Sequence, residues 1–180
     1  MKPSHREEPH HETRADLHHK AHSPKHIRFA VVTVSDTRTP ENDTSGTLLR
    51  RLVHDAGYEV TQSAIVRDDP ADVARVLDEA CSRHDVDLIV LNGGTGISSR
   101  DGTDETVWSR LEKRLNGFGE LFRFLSYQHV GSAAMLSRAV GGLSRGKVVF
   151  SIPGSPQAAE VAMRELILPE AGHLMFEVRR

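Results

Sequence analysis

Apolar positions along this chain follow two alternating rhythms. From Ile27 to Ser35 the run Phe29-Ala30-Val31-Val32-Thr33-Val34 is almost unbroken, as in a parallel strand covered on both faces. Leu48, Leu49, Leu52, Val53 and Ala56 then recur at helical spacing, and Gly57 stands where a left-handed cap closes such a helix. A second strand is predicted over Tyr58–Val66. After it, Asp69 as N-cap and Pro70 as first helical residue open a helix that turns Val73, Val76, Leu77, Ala80 and Cys81 inward. The third strand spans Asp87–Asn92. Beyond it the spacing predicts a helix capped by Thr103, with Asp104 and Glu105 favouring its dipole and Val107, Trp108, Leu111 and Leu115 inside. Asn116-Gly117 breaks that helix before a further one bearing Phe118, Leu121, Phe122 and Leu125. A late strand, Gly146–Ile152, ends in Pro153-Gly154-Ser155-Pro156, and a terminal helix follows with Ala158, Val161 and Ala162 inward.

This alternation predicts an α/β fold with a mostly parallel central sheet. Ligands of such sheets collect outside the carboxyl ends of the strands, so Asp36, Asp68, Gly93–Gly96 with Asp101, and Pro153–Pro156 are expected to line one crevice. The stretch Asn92-Gly93-Gly94-Thr95-Gly96 brings bare backbone amides to the sheet edge, where no side chain keeps a phosphate away. With Asp69 used as a cap, Asp68 is left to face the crevice. Asp101 near phosphate oxygens calls for a divalent cation between them, since like charges would otherwise repel. Taken singly, Asp36 also reads as a cap, Asp68 as a surface carboxylate, and Asp101 in Arg100-Asp101-Gly102 as a turn residue, but their joint placement at strand ends favours the crevice.

The length of 180 residues suits one domain with a tail, and 23 basic against 25 acidic side chains, with no basic stripe, argue against nucleic acid as a partner. Composition changes at His26: residues 1–26 carry His5, His10, His11, His18, His19 and His22 with little to bury, which predicts a disordered tail ahead of a folded domain over 27–180. The histidine pairs are zinc or nickel ligand types, but such a tail offers no fixed geometry. Cys81 lies on an apolar stripe and reads as a small buried hydrophobe, while Trp108 reads as core and His54 and His129 as ordinary surface or packing residues. No apolar run is long enough to span a bilayer or to serve as a secretory leader, so a cytoplasmic protein is expected, with no membrane partner. Ser35-Asp36 stands where a dinucleotide-binding G-x-G-x-x-G would follow the first strand, which disfavours a dinucleotide-dependent oxidoreductase.

Three segments, Thr33-Val34-Ser35-Asp36, Gly93-Gly94-Thr95-Gly96 leading to Arg100-Asp101-Gly102-Thr103, and Ser151-Ile152-Pro153-Gly154-Ser155-Pro156, together resemble the MoaB/MogA family of molybdenum cofactor biosynthesis proteins. The resemblance runs from about Ile27 to the C-terminal helix. It implies a three-layer α/β/α sandwich that assembles as a homotrimer or homohexamer and binds molybdopterin. It also implies, for active members, adenylyl transfer from Mg-ATP to the terminal phosphate of the pterin. By position, Asp68 and Asp101 match the acids tied to Mg²⁺ and catalysis. Ser35, Asp36, Gly93, Gly94, Thr95 and Gly96 match the groups that contact phosphate and pterin, and Ser151, Pro153, Gly154 and Ser155 match the last ligand loop. A non-catalytic molybdopterin-binding or scaffold protein of the same pathway is the alternative. The residues agree with the transfer: bringing two polyanions together demands positioning and charge neutralisation, and a phosphate nucleophile, already ionised, needs no general base.

Overall fold

The structure, a computed structural model, describes residues 24, 26–98 and 101–180, so the segment read as a histidine-rich tail lies outside the described residues except for Pro24 and His26. Strands β1 (Arg28–Val34), β2 (Glu59–Val66), β3 (Leu88–Asn92) and β6 (Lys147–Ile152) run parallel, and β5 (Val140–Ser144) and β4 (Lys113–Arg114) extend the sheet antiparallel beyond β6. The six strands take the order β2-β1-β3-β6-β5-β4. Helices α1 (Thr44–Asp55) and α2 (Pro70–Ser82) connect the first strands. The second half contributes α3 (Thr103–Trp108), α4 (Asn116–Val130) with a 3-10 turn at Gly131–Leu136, and α5 (Pro156–Val161), which passes through a π stretch at Ala162–Ile167 into α6 (Leu168–Arg179). Pro169, which cannot donate an intrahelical bond, stands two residues beyond that π stretch in the first turn of α6, where its missing donor accounts for the widened turn.

Strand periodicity splits the core into two layers. Phe29 and Val31 of β1, with Leu88 and Val90 of β3, pack against Leu49, Leu52, Phe122, Met163 and Met175 on one face. Ala30 and Val32, with Ile89 and Leu91, point to the other face and meet Val73, Val76, Leu77, Ala80 and Val107. Both faces of β1 and β3 are therefore covered, which makes the molecule the three-layer α/β/α sandwich expected of it. Cys81 lies buried in the second layer, where burial pushes its thiol up and leaves it inert. Asp69 caps α2 as read, accepting hydrogen bonds from the amides of Ala71 (2.9 Å) and Asp72 (3.3 Å).

The stretch after the glycine loop departs from the prediction. The helix expected to run through Leu115 ends at Trp108, because the chain turns at Arg110 and Leu111 and hands its next amides to β5, Glu112 N–H to Leu143 O (2.8 Å) and Leu115 N–H to Gly141 O (2.8 Å). Asn116-Gly117 begins α4 rather than breaking a helix. Strand β5 carries Gly141 and Gly142, which hide it from strand propensity; a side chain at Gly141 would stand 2.7 Å from the Phe150 ring. Trp108, expected in the core, is 39% exposed and carries the Arg114 guanidinium 4.1 Å above its ring, while Leu121 on α4 is 53% exposed.

Candidate active site

At the carboxyl edge of the sheet the loops after β1, β2, β3 and β6 meet. Ser35 N–H bonds Val66 O (2.8 Å) and Asp68 N–H bonds Asp36 Oδ1 (3.3 Å), which ties the first two loops together. Gly93 N–H bonds Ile152 O (2.9 Å), and a methyl group on Gly154 would stand 3.0 Å from Gly93 Cα, so the glycine loop and the last loop are in contact. Gly94, at φ +66°, shows why that loop needs glycine: a methyl there would overlap Thr103 Oγ1 and lie 2.6 Å from Asp68 Oδ1.

Thr103, read as an N-cap, is instead the first residue of α3; Gly102 holds the cap position and offers no side-chain bond. The Thr103 hydroxyl donates to Asp68 Oδ1 (3.1 Å). With only six residues, α3 contributes little dipole of its own. On the other side of the loop Asp101 accepts from Ser98 N–H (2.8 Å), and a methyl on Gly96 would overlap its carboxylate. Asp68 and Asp101 thus flank the glycine loop, near enough that each alters the other's protonation. Burial is the main force raising Asp68; the Thr103 hydrogen bond opposes it, and the charges of Asp101 and Asp36 add to the rise. Asp101 lies on the other side of its ordinary value, held down by hydrogen bonds from the Ser98 side chain and amide.

These carboxylates fit a divalent cation. Charge repulsion from Asp101 and Asp36 on a half-buried Asp68 is what such an ion would relieve. Among the described residues no group of three or more His, Cys, Asp or Glu side chains has metal-holding geometry.

The other predicted residues are distributed unevenly. A groove of about 790 Å³ between α2 and α3 is lined by Asp101 with Pro70, Ser98, Thr106 and Arg138. Pro153 and Ser155 instead line a small cavity of about 90 Å³ beside Phe122 and His129 on α4. Ser155 also caps α5 through Ala158 N–H (3.1 Å), and Ser35 Oγ accepts from the amides of Thr37 (3.2 Å) and Arg38 (3.3 Å) in its own turn. Ser151, expected to meet ligand, is fully buried and gives its hydroxyl to Asp104 Oδ1 (3.0 Å).

Sequence reasoning passed over four groups. Asp43 caps α1 at Gly46 N–H (2.9 Å) and accepts from Thr33 Oγ1 (2.9 Å). Buried Asn92 bonds Val32 O (3.3 Å) and Thr33 Oγ1 (3.0 Å) through its amide nitrogen. Asp104, read only as a dipole partner, is 5% exposed, and burial pushes it up to about 7 against the pull of Ser151 and Arg138; its Oδ2 has no hydrogen-bond partner. Arg138, just before β5, reaches the glycine loop. Nothing in local spacing marks it, because its partners lie 33 to 43 residues away.

The site sits in a chain whose residues 30–173 match the family described as a probable molybdopterin binding domain. Molybdenum cofactor biosynthesis protein B of Bacillus cereus is 51% identical over 163 residues, which is 90% of this chain and 96% of that protein. A crystal structure of a molybdenum cofactor biosynthesis protein B, 51% identical, superposes with a TM-score of 0.85 over 88% of this chain and 99% of the other. The tungsten cofactor synthesizing protein MoaB of Pyrococcus furiosus, 38% identical, does so with a TM-score of 0.80 over 88% of this chain and 100% of its own. Among the described residues no helix is long and apolar enough to cross a membrane. By sequence, by fold and by the segments that build its sheet edge, the chain belongs to the MoaB family of molybdenum cofactor biosynthesis proteins.

Proposed function

We propose that this protein binds molybdopterin and ATP at the carboxyl edge of its sheet and transfers adenylyl to the terminal phosphate of the pterin. The observation that carries the reading is the placement of Asp68 and Asp101 on either side of the glycine loop, with Thr103 fixing the first and Ser98 the second. An oxygen of the pterin phosphate attacks the α-phosphorus of ATP, the bond from that phosphorus to the bridging oxygen breaks, and pyrophosphate leaves with the electron pair. Bound Mg²⁺, held by Asp68 and Asp101, would supply positive charge to the phosphate oxygens. The chain's own part is to orient: loop amides at Gly94, Thr95 and Gly96 donate to phosphate, Gly93 turns the chain with its own amide held by Ile152 O, and Ser35, Asp36, Pro153, Gly154 and Ser155 bound the ligand from neighbouring strand ends.

The test is incubation of purified protein with molybdopterin, ATP and Mg²⁺, following adenylylated pterin. Wild type should turn over, and Asp101→Ala should lower the rate by about a thousandfold or more while leaving the thermal transition in place. Pterin binding without product from wild type would make the protein a non-catalytic binding member of the pathway and end the transferase reading.

We further propose a homotrimer or homohexamer. Leu121, Phe124, Tyr127 and Val130, each 47% to 65% exposed, form an apolar stripe on the outer face of α4 that continues into Met135 and Leu136. Light scattering on the purified protein should give three or six times the 19.9 kDa chain mass.

A further inference from the structure

The part of the molecule absent from the transferase reading is the group that arrives from the antiparallel end of the sheet. Arg138 precedes β5, far in sequence from the glycine loop, yet its guanidinium donates to Thr95 O through Nε (3.1 Å) and to Asp101 O through Nη2 (3.0 Å). Its third nitrogen, Nη1, pairs with Glu105, and Asp104 Oδ2 lies 3.8 Å from Nε. Asp104 in turn is fixed by Ser151 at the end of β6. One cation therefore bonds both arms of the loop and is backed by two acids of α3.

Its effect on the loop follows from peptide geometry. The described backbone has no cis bond, so the C=O and N–H of each peptide unit point in opposite directions. With the Thr95 and Asp101 carbonyls turned onto Arg138, the amides of Gly96 and Gly102 are turned away from it. An anion-binding loop works only when its amides are pre-aimed, because their reorientation would otherwise have to be supplied during binding. A lysine could neutralise the same acids but lacks the planar fork that reaches two carbonyls at once.

We propose that Arg138 is a positioning residue of this site, which fixes the direction of the loop amides and the backbone of Asp101 by holding the carbonyls of Thr95 and Asp101 together. The proposal rests on the anion-binding reading of the glycine loop and extends it to a residue outside the family segments noted above. It assigns Arg138 no direct contact with ligand.

Two measurements on the full chain test it, and the first needs no activity. Hydrogen exchange at the amides of Ser98 and Asp101, which are held by the Asp101 carboxylate (2.8 Å) and Ser98 O (3.1 Å), should quicken by about tenfold or more in both R138Q and R138K, with the β1 and β3 amides unchanged. Millimolar guanidinium should restore R138G towards the wild-type pattern, whereas equal sodium should not. In the second, binding of Mg-ATP measured by calorimetry should weaken by about tenfold or more in R138K despite the retained charge, and guanidinium should restore it in R138G. Unchanged loop exchange in R138Q and R138K overturns the proposal, as does loosening spread evenly over the sheet or full binding by R138K. A wild type that fails to bind Mg-ATP counts against the transferase reading alone, and loop exchange then decides the role of Arg138.

Discussion

The two ends of the parallel sheet each bury an aspartate, and they treat it in opposite ways. At the amino end Asp87 receives Arg28 twice (Nε to Oδ2, 3.0 Å; Nη2 to Oδ1, 3.2 Å), the Arg28 amide (3.0 Å) and Arg179 from α6 (2.8 Å). Burial alone would raise Asp87, but these bonds outweigh it and hold the carboxyl below its usual range. At the carboxyl edge Asp104, equally buried, has one hydroxyl on Oδ1 and on Oδ2 only a long contact to Arg138 with no hydrogen bond, and it rises to about 7. Asp68 rises as well. The amino end is a closed electrostatic joint that fastens the C-terminal helix to the sheet. The carboxyl edge leaves burial uncompensated at Asp68 and Asp104, which is the condition of a surface that completes itself with a ligand.

The largest effect that sharpens this contrast is the loss of the closed joint. Asp87→Ala leaves two guanidinium groups without their shared acceptor and should cost about 3 kcal/mol or more of unfolding free energy, read from urea denaturation. A loss below about 1 kcal/mol would mean that the joint is ornamental and the contrast empty.

Acid and base should next separate the two ends by sign. Asp104 has a folded value of about 7 against an unfolded 3.8, so the native state holds its proton more tightly. Its contribution to stability is complete below about pH 4, drains away as pH rises towards about 7, and is flat above. Asp87 behaves in the reverse sense, since its folded value lies below 3.8: its contribution is whole above that pH and is lost on acidification. Unfolding curves for wild type and D104N between pH 4 and pH 8 give the comparison as a difference. Parallel curves for the two proteins would remove Asp104 as a strained acid.

The same division marks what could be read from the chain alone. The four parallel strands and their two connecting helices follow hydrophobic periodicity, because β1, β3 and β6 are buried on both faces, the edge strand β2 is partly buried, and each helix is buried on one face. The turns at their ends place Asp36, Asp68 and the glycine loop where topology demands. The antiparallel end escaped because its information is not local. Strand β4 is two residues long, β5 holds two adjacent glycines, and the apolar spacing of Val107, Trp108, Leu111 and Leu115 imitates a helix that β5 pairing cuts short. Arg138 was illegible for the same reason, since its role exists only once β5 lies beside β6. Asp104 was misread because a helix-opening acid is ordinarily exposed, and only the Ser151 hydroxyl beneath it shows that this one is not.

The smallest effect concerns Asp68, where function and fold pull apart. Its carboxyl is half-buried, close to Asp101 and Asp36, and held by one hydroxyl. An amide in its place still accepts from Thr103 and removes a like charge from a crowded edge, so Asp68→Asn should leave the fold intact and stabilise it by about 0.5 kcal/mol. Because the folded group holds its proton more tightly than the unfolded one, the gain should grow with rising pH and shrink on acidification, where protonation does the same work. Added Mg²⁺ should raise the thermal transition of wild type and leave that of D68N nearly still, because a bound ion stabilises only the state that holds it. If the substitution destabilises at neutral pH, or if magnesium lifts both proteins alike, the acids at this edge are serving the fold, and the two ends of the sheet are not opposites.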